Sequence, residues 1–400
     1  MKKIVSLLLV VALMLCGAAF AEIAKEDMKV GLILLHDENM GYDANFINGM
    51  REAMAELGLD ESQLIIRSNI PEDQGAYDAA VDLAESGCQY IFADSFGHES
   101  YMIMAAQEYP EVQFSHATGT QALGLRMDNF HNAFASIYEG RFVAGVAAGM
   151  KLNQMIADGK ITEDQALVGY VGAHPYAEVV SGYTSFYLGM RYVCPSVKMV
   201  VKYTGSWGDL ALEKEAADAL ISQGCVLMSQ HADTVGAPTA CEIAGIPNVG
   251  YNISFINVAP NTALISSRIN WAPYMAMAIQ SVMNGESFDT DWCAGFAEGS
   301  VELTELNEAI AAEGTAAFLE ETIAKLKSGE LNVYDTSTFT VTGGITVEDY
   351  VKTEAYLNDA FSAADHAMAA EHVTDGVFHE SEWRSAPYFD LRIDGIEELG

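Results

Sequence analysis

Two stretches of this chain repeat each other. VGLILLHDENMGYDANFINGMR (30–51) is echoed by VGYVGAHPYAEVVSGYTSFYLGMR (168–191). Gly31 and His36 lie five apart, as do Gly169 and His174, and both stretches end in Gly-Met-Arg. A second pair follows, LAESGCQYIFADS (83–95) against LISQGCVLMSQHA (220–232). From Gly31 to Gly87 is 56 residues, and from Gly169 to Gly224 is 55. Two motifs at matched spacing predict two similar α/β lobes in one chain, with a cleft between them.

The pattern inside each copy agrees. Val30–Leu35 is an apolar run suited to a buried parallel strand. Phe46, Met50, Ala53, Met54 and Leu57 then recur at helical spacing, Asp43 is placed to cap that helix, and Gly58 ends it. Strands at 64–66, 89–92 and 112–115 alternate with helices at 72–86 and 99–108. We read 131–156 as one long helical stretch. The alternation restarts with strands at 167–173, 197–204, 225–230 and 247–251 and helices at 176–191, 209–223 and 236–244. Strand 262–268 leads into helix 271–283. Beyond 291 the signals are mixed, with strands expected at Thr338–Thr342 and Phe389–Ile393. Such alternation implies an α/β fold of two doubly wound parallel sheets joined by a hinge. The expected division is 28–135 plus about 269–290 for one lobe, and about 136–268 plus about 291–400 for the other.

The first 21 residues read as a targeting segment. Lys2 and Lys3 precede the apolar run Ile4–Cys16, and Ala19-Phe20-Ala21 matches a cleavage site. Cys16 is the alternative, a lipidated cysteine, but Leu13-Met14-Leu15 fits that poorly. We expect an exported protein, periplasmic or attached at the cell surface. Removing the segment takes two lysines and no acids, so the formal charge becomes 18 − 56 = −38. That charge disfavours nucleic acid and anionic lipid as partners. Five cysteines remain, none in a CxxC pair, and buried apolar roles account for them.

Several chemistries lack their motifs. No phosphate-cradling GxxxxGK[ST] or GxGxxG is present, and no GxSxG nucleophile turn. The histidines of HAMAAEH (366–372) are six apart, on different faces of a helix, so no metal or other cofactor is expected.

In open parallel sheets, ligands sit outside the carboxyl ends of the strands. The loops at those ends carry aromatics and hydrogen-bonding groups: Asp37, Tyr42 and Phe46; Ser95 and Phe96; Trp207; Asp233; Asn252; and Asn270 where the chain crosses between lobes. Paired aromatics can sandwich a flat heterocycle while acids and amides read its edge. Core packing accounts for Phe46 as well as stacking does. Asp209 is most simply a helix cap, and His174 a loop histidine held by its neighbours.

At these residues the chain resembles the basic membrane protein family of ABC-transporter solute-binding proteins. Asp37, DANFIN around Phe46, YEGRFVAGVAAG (138–149) and the tail DGVFHESEWRSAPYFDLRIDGI (375–396) carry the resemblance. SFGH (95–98), FSHATG (114–119), SQHADT (229–234) and INWAPY (269–274) resemble a subgroup associated with purine-base binding. The family's asparagine after the phenylalanine is Ile47 here. The resemblance implies a type I periplasmic-binding fold, Phe46 and Trp207 as stacking aromatics, and Asn270 at or near the place of a ribose-contacting lysine. It implies a monomeric receptor that binds a purine nucleoside or a free base such as adenine and delivers it to a membrane ABC permease, and no enzymatic activity. The alternatives are a secreted nucleoside hydrolase and a ligand-sensing receptor not coupled to transport.

Overall fold

A computed structural model of the protein describes residues 21–357 and 371–399. Residues 1–20, where a targeting segment is expected, and residues 366–370 of HAMAAEH lie outside the described residues. The chain divides into two compact units. The first comprises residues up to His36, Asn48–Ala133 and Ala272–Trp292; the second comprises Asp37–Ile47, Phe134–Trp271 and Cys293 onward.

The first half of the sheet-forming chain carries β1 (Val30–Ile33), α1 (Gly41–Leu57), β2 (Leu64–Arg67), α2 (Gln74–Glu85), β3 (Tyr90–Ala93), α3 (Glu99–Glu108), β4 (Gln113–Ala117) and β5 (Phe130–Ala135), with the start of α1 and the end of β5 counted in the second unit. The second follows with α4 (Ile137–Ala157), β6 (Leu167–Gly172), α5 (Ala177–Val193), β7 (Lys198–Tyr203), α6 (Leu210–Ser222), β8 (Leu227–His231), α7 (Gly236–Ala244), β9 (Asn248–Tyr251) and β10 (Ala263–Ile269). After α8 (Ala272–Asn284) come β11 (Asp291–Ala294), β12 (Val301–Leu303), α9 (Thr315–Ser328), a two-stranded hairpin of β13 (Val373–Thr374) and β14 (Val377–Phe378), and β15 (Ile396–Leu399).

The duplication extends to whole sheets. One sheet runs β2-β1-β3-β4-β5-β11, and the other β7-β6-β8-β9-β10-β12, with β15 added outside β7. The strands from β1 to β5 pair in parallel, as do those from β6 to β10. The repeated glycines have a packing reason. A Cβ on Gly31 would lie 3.0 Å from Leu83 Cδ1, and one on Gly169 would lie 3.1 Å from Leu220 Cβ. Leu83 and Leu220 are equivalent in the two copies, so each unit seats the same helix leucine over a bare strand. The second repeated glycines, Gly87 (φ 85°) and Gly224 (φ 98°), reverse the chain after α2 and α6, in a region of backbone space that favours glycine.

Three expectations fail. Residues 130–135 are a strand, not the start of a helix. All six are buried, the polar His131 and Asn132 included, so no alternation of burial marks the strand by periodicity. The expected strands at 338–342 and 389–393 reduce to the isolated bridges Val341–Ile393 and Val341–Ile345, and the strand that joins the sheet is β15. Asp43 does not precede its helix; α1 begins at Gly41, so Asp43 sits fully buried in the first turn.

Helices α4 and α5 approach to backbone contact. A Cβ on Gly145 would lie 2.1 Å from the Phe186 carbonyl oxygen, and one on Gly189 would lie 2.0 Å from that of Phe142. Neither obstacle is a movable side chain. Gly189→Val should therefore cost roughly 3 kcal/mol or more, or prevent folding. Gly124 has nothing within 4 Å of its would-be Cβ, so Gly124→Ala is the neutral control. Urea unfolding of both variants makes the comparison.

Candidate functional site

Seven of the nine sequence-predicted residues lie in the second unit, and three of them, Trp207, Asp233 and Asn252, meet at one loop at the carboxyl ends of its strands. Chain direction turns after β8 at His231, and the loop that follows is held at every residue. Gln230 Nε2 donates to the carbonyls of Ala232 (2.7 Å) and Thr234 (3.1 Å). The Asp233 amide donates to the Trp207 carbonyl at 2.9 Å. The Thr234 amide donates to the buried carboxylate of Glu213, 3.2 Å from each oxygen. Asn252 Nδ2 donates to Asp233 Oδ1 at 3.2 Å. Asn252 itself adopts a left-handed φ of 68°, stabilised by its amide bond to the Ser267 carbonyl. Asparagine tolerates that conformation better than most residues.

The start of α1 belongs to this unit. The Gly41 amide reaches the Asp233 carbonyl at 3.4 Å, and a Cβ on Gly41 would lie 3.1 Å from Ile253 Cγ1. One turn on, Phe46 is fully buried and stacks on Trp271 at 4.3 Å between centroids, with Tyr42 edge-on at 4.9 Å. Trp207 is half-buried, with His174 edge-on at 5.2 Å and Tyr176 at 6.2 Å. Tyr176 and His174 stack in turn at 4.9 Å. Asp37 shapes a turn, its carboxylate accepting from the amide and side chain of Asn39. Asn270 is drawn to β12: its amide donates to Ser300 and its side chain to Glu302 at 3.3 Å.

Ser95 and Phe96 lie in the first unit, at the end of β3. The Ser95 hydroxyl donates to Glu72 at 2.6 Å, which also accepts from the Gly97 amide at 2.8 Å. The Ser95 carbonyl accepts from His116 Nε2 at 2.6 Å. Burial depresses the His116 pKa to about 4, so this imidazole is neutral. Phe96 is 40 % exposed, a solvent-facing ring at a strand end. The loop after β4 is anchored by Glu99, whose Oε1 accepts from the amides of Thr120 and Gln121.

Several residues at the second unit's loops escaped sequence reasoning. Asp43, read as a cap, is buried and adds to the field at Asp233. Asn45 is also buried, whereas Asn48, the asparagine nearest to the family's position, is exposed. Arg141 and Glu213 lie inside helical runs with only their charge to mark them. Burial, then the nearby Asp43, Glu213 and Glu178 carboxylates, push the Asp233 pKa well above the usual carboxylate range. A carboxyl held neutral presents one donor and one acceptor. Beside the Asn252 amide, that suits the edge of an uncharged heterocycle.

Two parallel sheets of one strand order, with aromatic and amide groups on their carboxyl-end loops, define a solute-binding protein of the type I periplasmic fold. Solved structures agree: a solute-binding protein of Aeropyrum pernix aligns with a TM-score of 0.62 at 18% identity, over 86% of this chain and 99% of that one. One from Conexibacter woesei aligns with a TM-score of 0.60 at 20% identity, over 76% and 98%. The family of PnrA-like ABC transporter substrate-binding proteins matches residues 33–337, and the chain belongs to it. A purine-binding protein of Brucella abortus is 32% identical over 81% of this chain and 87% of its own. A putative ABC transporter glucose-binding protein of Haloferax volcanii is also 32% identical, over 55% and 52%. Members of this family bind a small-molecule ligand and work with a membrane permease. Among the described residues, no helix is long and apolar enough to cross a membrane.

Burial raises the Glu213 pKa to about 7, against an ordinary value of 4.5. The folded state therefore binds this proton more tightly than the unfolded state. Stability falls as pH rises from about 4.5 to about 7, and the penalty is complete above that window. Glu213→Gln keeps an acceptor for Thr234 and removes the titration. Its melting temperature relative to wild type should climb between pH 4.5 and 7.5; a constant difference would refute the assignment.

Proposed function

We propose that the protein is an exported receptor that captures a purine base or nucleoside for uptake through an ABC permease. The observation that carries this reading is the Asp233–Asn252 pair, fixed by the backbone of the aromatic Trp207. Stacking on an aromatic contributes roughly 1–3 kcal/mol per base. Trp207 supplies a ring that is not consumed by the core, while the acid and amide offer hydrogen bonds to a ring edge. The Brucella abortus relative, described as purine-binding over most of this chain's length, supports the same ligand class. In this reading Phe46 and Tyr42 contribute from the first turns of α1, and Asp37 from the turn before it. Asn270 takes the place of a ribose-contacting lysine, which leaves a free base as a candidate ligand. Cleavage after Ala21 would release the exported chain.

A thermal-shift screen of purine bases, nucleosides, sugars and amino acids tests the proposal. A ligand at one hundred times its dissociation constant adds about 2.7 kcal/mol of stability. A shift with sugars and none with any purine would overturn the reading in favour of the ligand described for the Haloferax volcanii relative. Trp207→Ala should weaken purine binding at least about tenfold, the loss of one stacking contact. Calorimetric titration of the variant, with its unfolding curve unchanged, provides the measurement.

A further inference from the structure

Arg141 is 1 % exposed, an arginine wholly inside the second unit. Its Nη1 donates to the Gln230 carbonyl at 3.0 Å, and its Cζ sits 3.5 Å above the ring centre of Tyr251. Its Nε and Nη2 have no hydrogen-bond partner among the described residues. A buried cation with unmatched donors is a poor way to gain stability. A desolvated cation–π contact returns less than burying a charge with two idle donors costs.

What Arg141 touches suggests a different role. Gln230 is the penultimate residue of β8 and Tyr251 the last of β9. The side chain of Gln230 ties down Ala232 and Thr234 on either side of Asp233. Tyr251 directly precedes Asn252, whose side chain holds Asp233. A single guanidinium therefore grips the roots of both loops that meet in the Asp233–Asn252 pair. Gly182 on α5 leaves the room: a Cβ there would lie 2.6 Å from His231 Nδ1 and 3.6 Å from Arg141 Nε.

We propose that Arg141 is a positioning residue that sets the Asp233–Asn252 pair through Gln230 and Tyr251. Its consequence for ligand binding rests on the purine reading above; its effect on the loops does not. The geometry uses the guanidinium's several donors and delocalised charge, its centre over one ring while Nη1 donates to a carbonyl. Lysine retains the charge and a donor but has no delocalised group to set over Tyr251.

Amide hydrogen exchange and calorimetry on the Arg141→Gln and Arg141→Lys variants test this. The reporters are the Asp233 amide, bonded to Trp207, and the Asn252 amide, bonded to Ser267. In Arg141→Gln both should exchange about tenfold faster while the β6 amides Val168–Val171 keep their protection, a local rather than global opening. Arg141→Lys should fall between the variant and wild type. A uniform rise in exchange, or no rise at the two reporters, would overturn the proposal. So would unchanged affinity for adenine and adenosine, whichever binds wild type. If neither purine binds wild type, the purine reading fails and exchange alone decides the role of Arg141. If Arg141→Gln does not fold, selective exchange in Arg141→Lys supports the proposal and uniform exchange overturns it.

Discussion

The backbones of α4 and α5 touch, and much of the second unit depends on that contact. Side chains are excluded along the seam by Gly145 and Gly149 on one helix and Gly189 on the other; a Cβ on Gly149 would lie 2.6 Å from the Met190 carbonyl oxygen. Bringing two helices this close trades side-chain burial for backbone packing, which only glycine permits. The seam also sets what lies one turn away. Arg141 precedes Gly145 by four residues, so it shares a helix face with the seam and points to the strands beneath. On α5, Gly182 extends the bare line to His231. Close packing and the polar cluster at the ends of β8 and β9 are thus one arrangement.

Both units stabilise their strand-end loops by the same physical device. A carboxylate projects from a neighbouring helix and accepts backbone amides that would otherwise be buried without partners. Glu99 does this for the loop after β4, and Glu213 for the loop after β8. Glu72, in the loop before α2, accepts from the Gly97 amide at the end of β3. These groups shape the loops without occupying their outer faces. The second unit adds Gln230 and Arg141 from below, and its loop carries the Asp233–Asn252 pair. Duplicated scaffolding and unlike loop contents go together, because the Gly–Leu contact at 31–83 and 169–220 fixes helix on strand and places no demand on the strand ends.

Much of this was legible in the sequence, for reasons that particular residues make plain. Gly58 was read as a helix end, and α1 stops at Leu57 with Gly58 at a φ of 64°. Asp209 was read as a cap, and it accepts from the amides of Ala211 and Leu212. Phe46 proved to be packed on Trp271 as its place on the apolar stripe allowed, and Asp233 and Asn252, 19 residues apart, are joined by a hydrogen bond. The misses share a cause: tertiary burial is invisible to local pattern. Phe130–Ala135 is buried throughout, His131 and Asn132 included, so period could not separate strand from helix. Asp43 carried the chemistry of a cap but lies inside the first turn. Arg141 left one signal that could have been used, a charge directly before the apolar and glycine-rich run FVAGVAAG. Charge at a core-facing position of such a helix is costly, and the cost points to a role.

The charge balance gives the site its chemical character. A formal charge of −36 surrounds the protein with a field that opposes phosphates and other anions. Inside the second unit the same abundance of acid acts differently. Asp233 lies among Asp43, Glu213 and Glu178, and with water excluded their mutual repulsion favours the proton-bound form of Asp233. Burial and an Arg141 charge nearby keep His231 in its neutral form. The groups at the loop thus approach neutrality within a strongly acidic molecule. A neutral acid beside an amide offers donors and acceptors together, whereas a carboxylate offers acceptors alone. Under the purine reading proposed above, an uncharged ring with both kinds of group along one edge is the ligand that this pattern matches, and the outer field disfavours an anionic nucleotide.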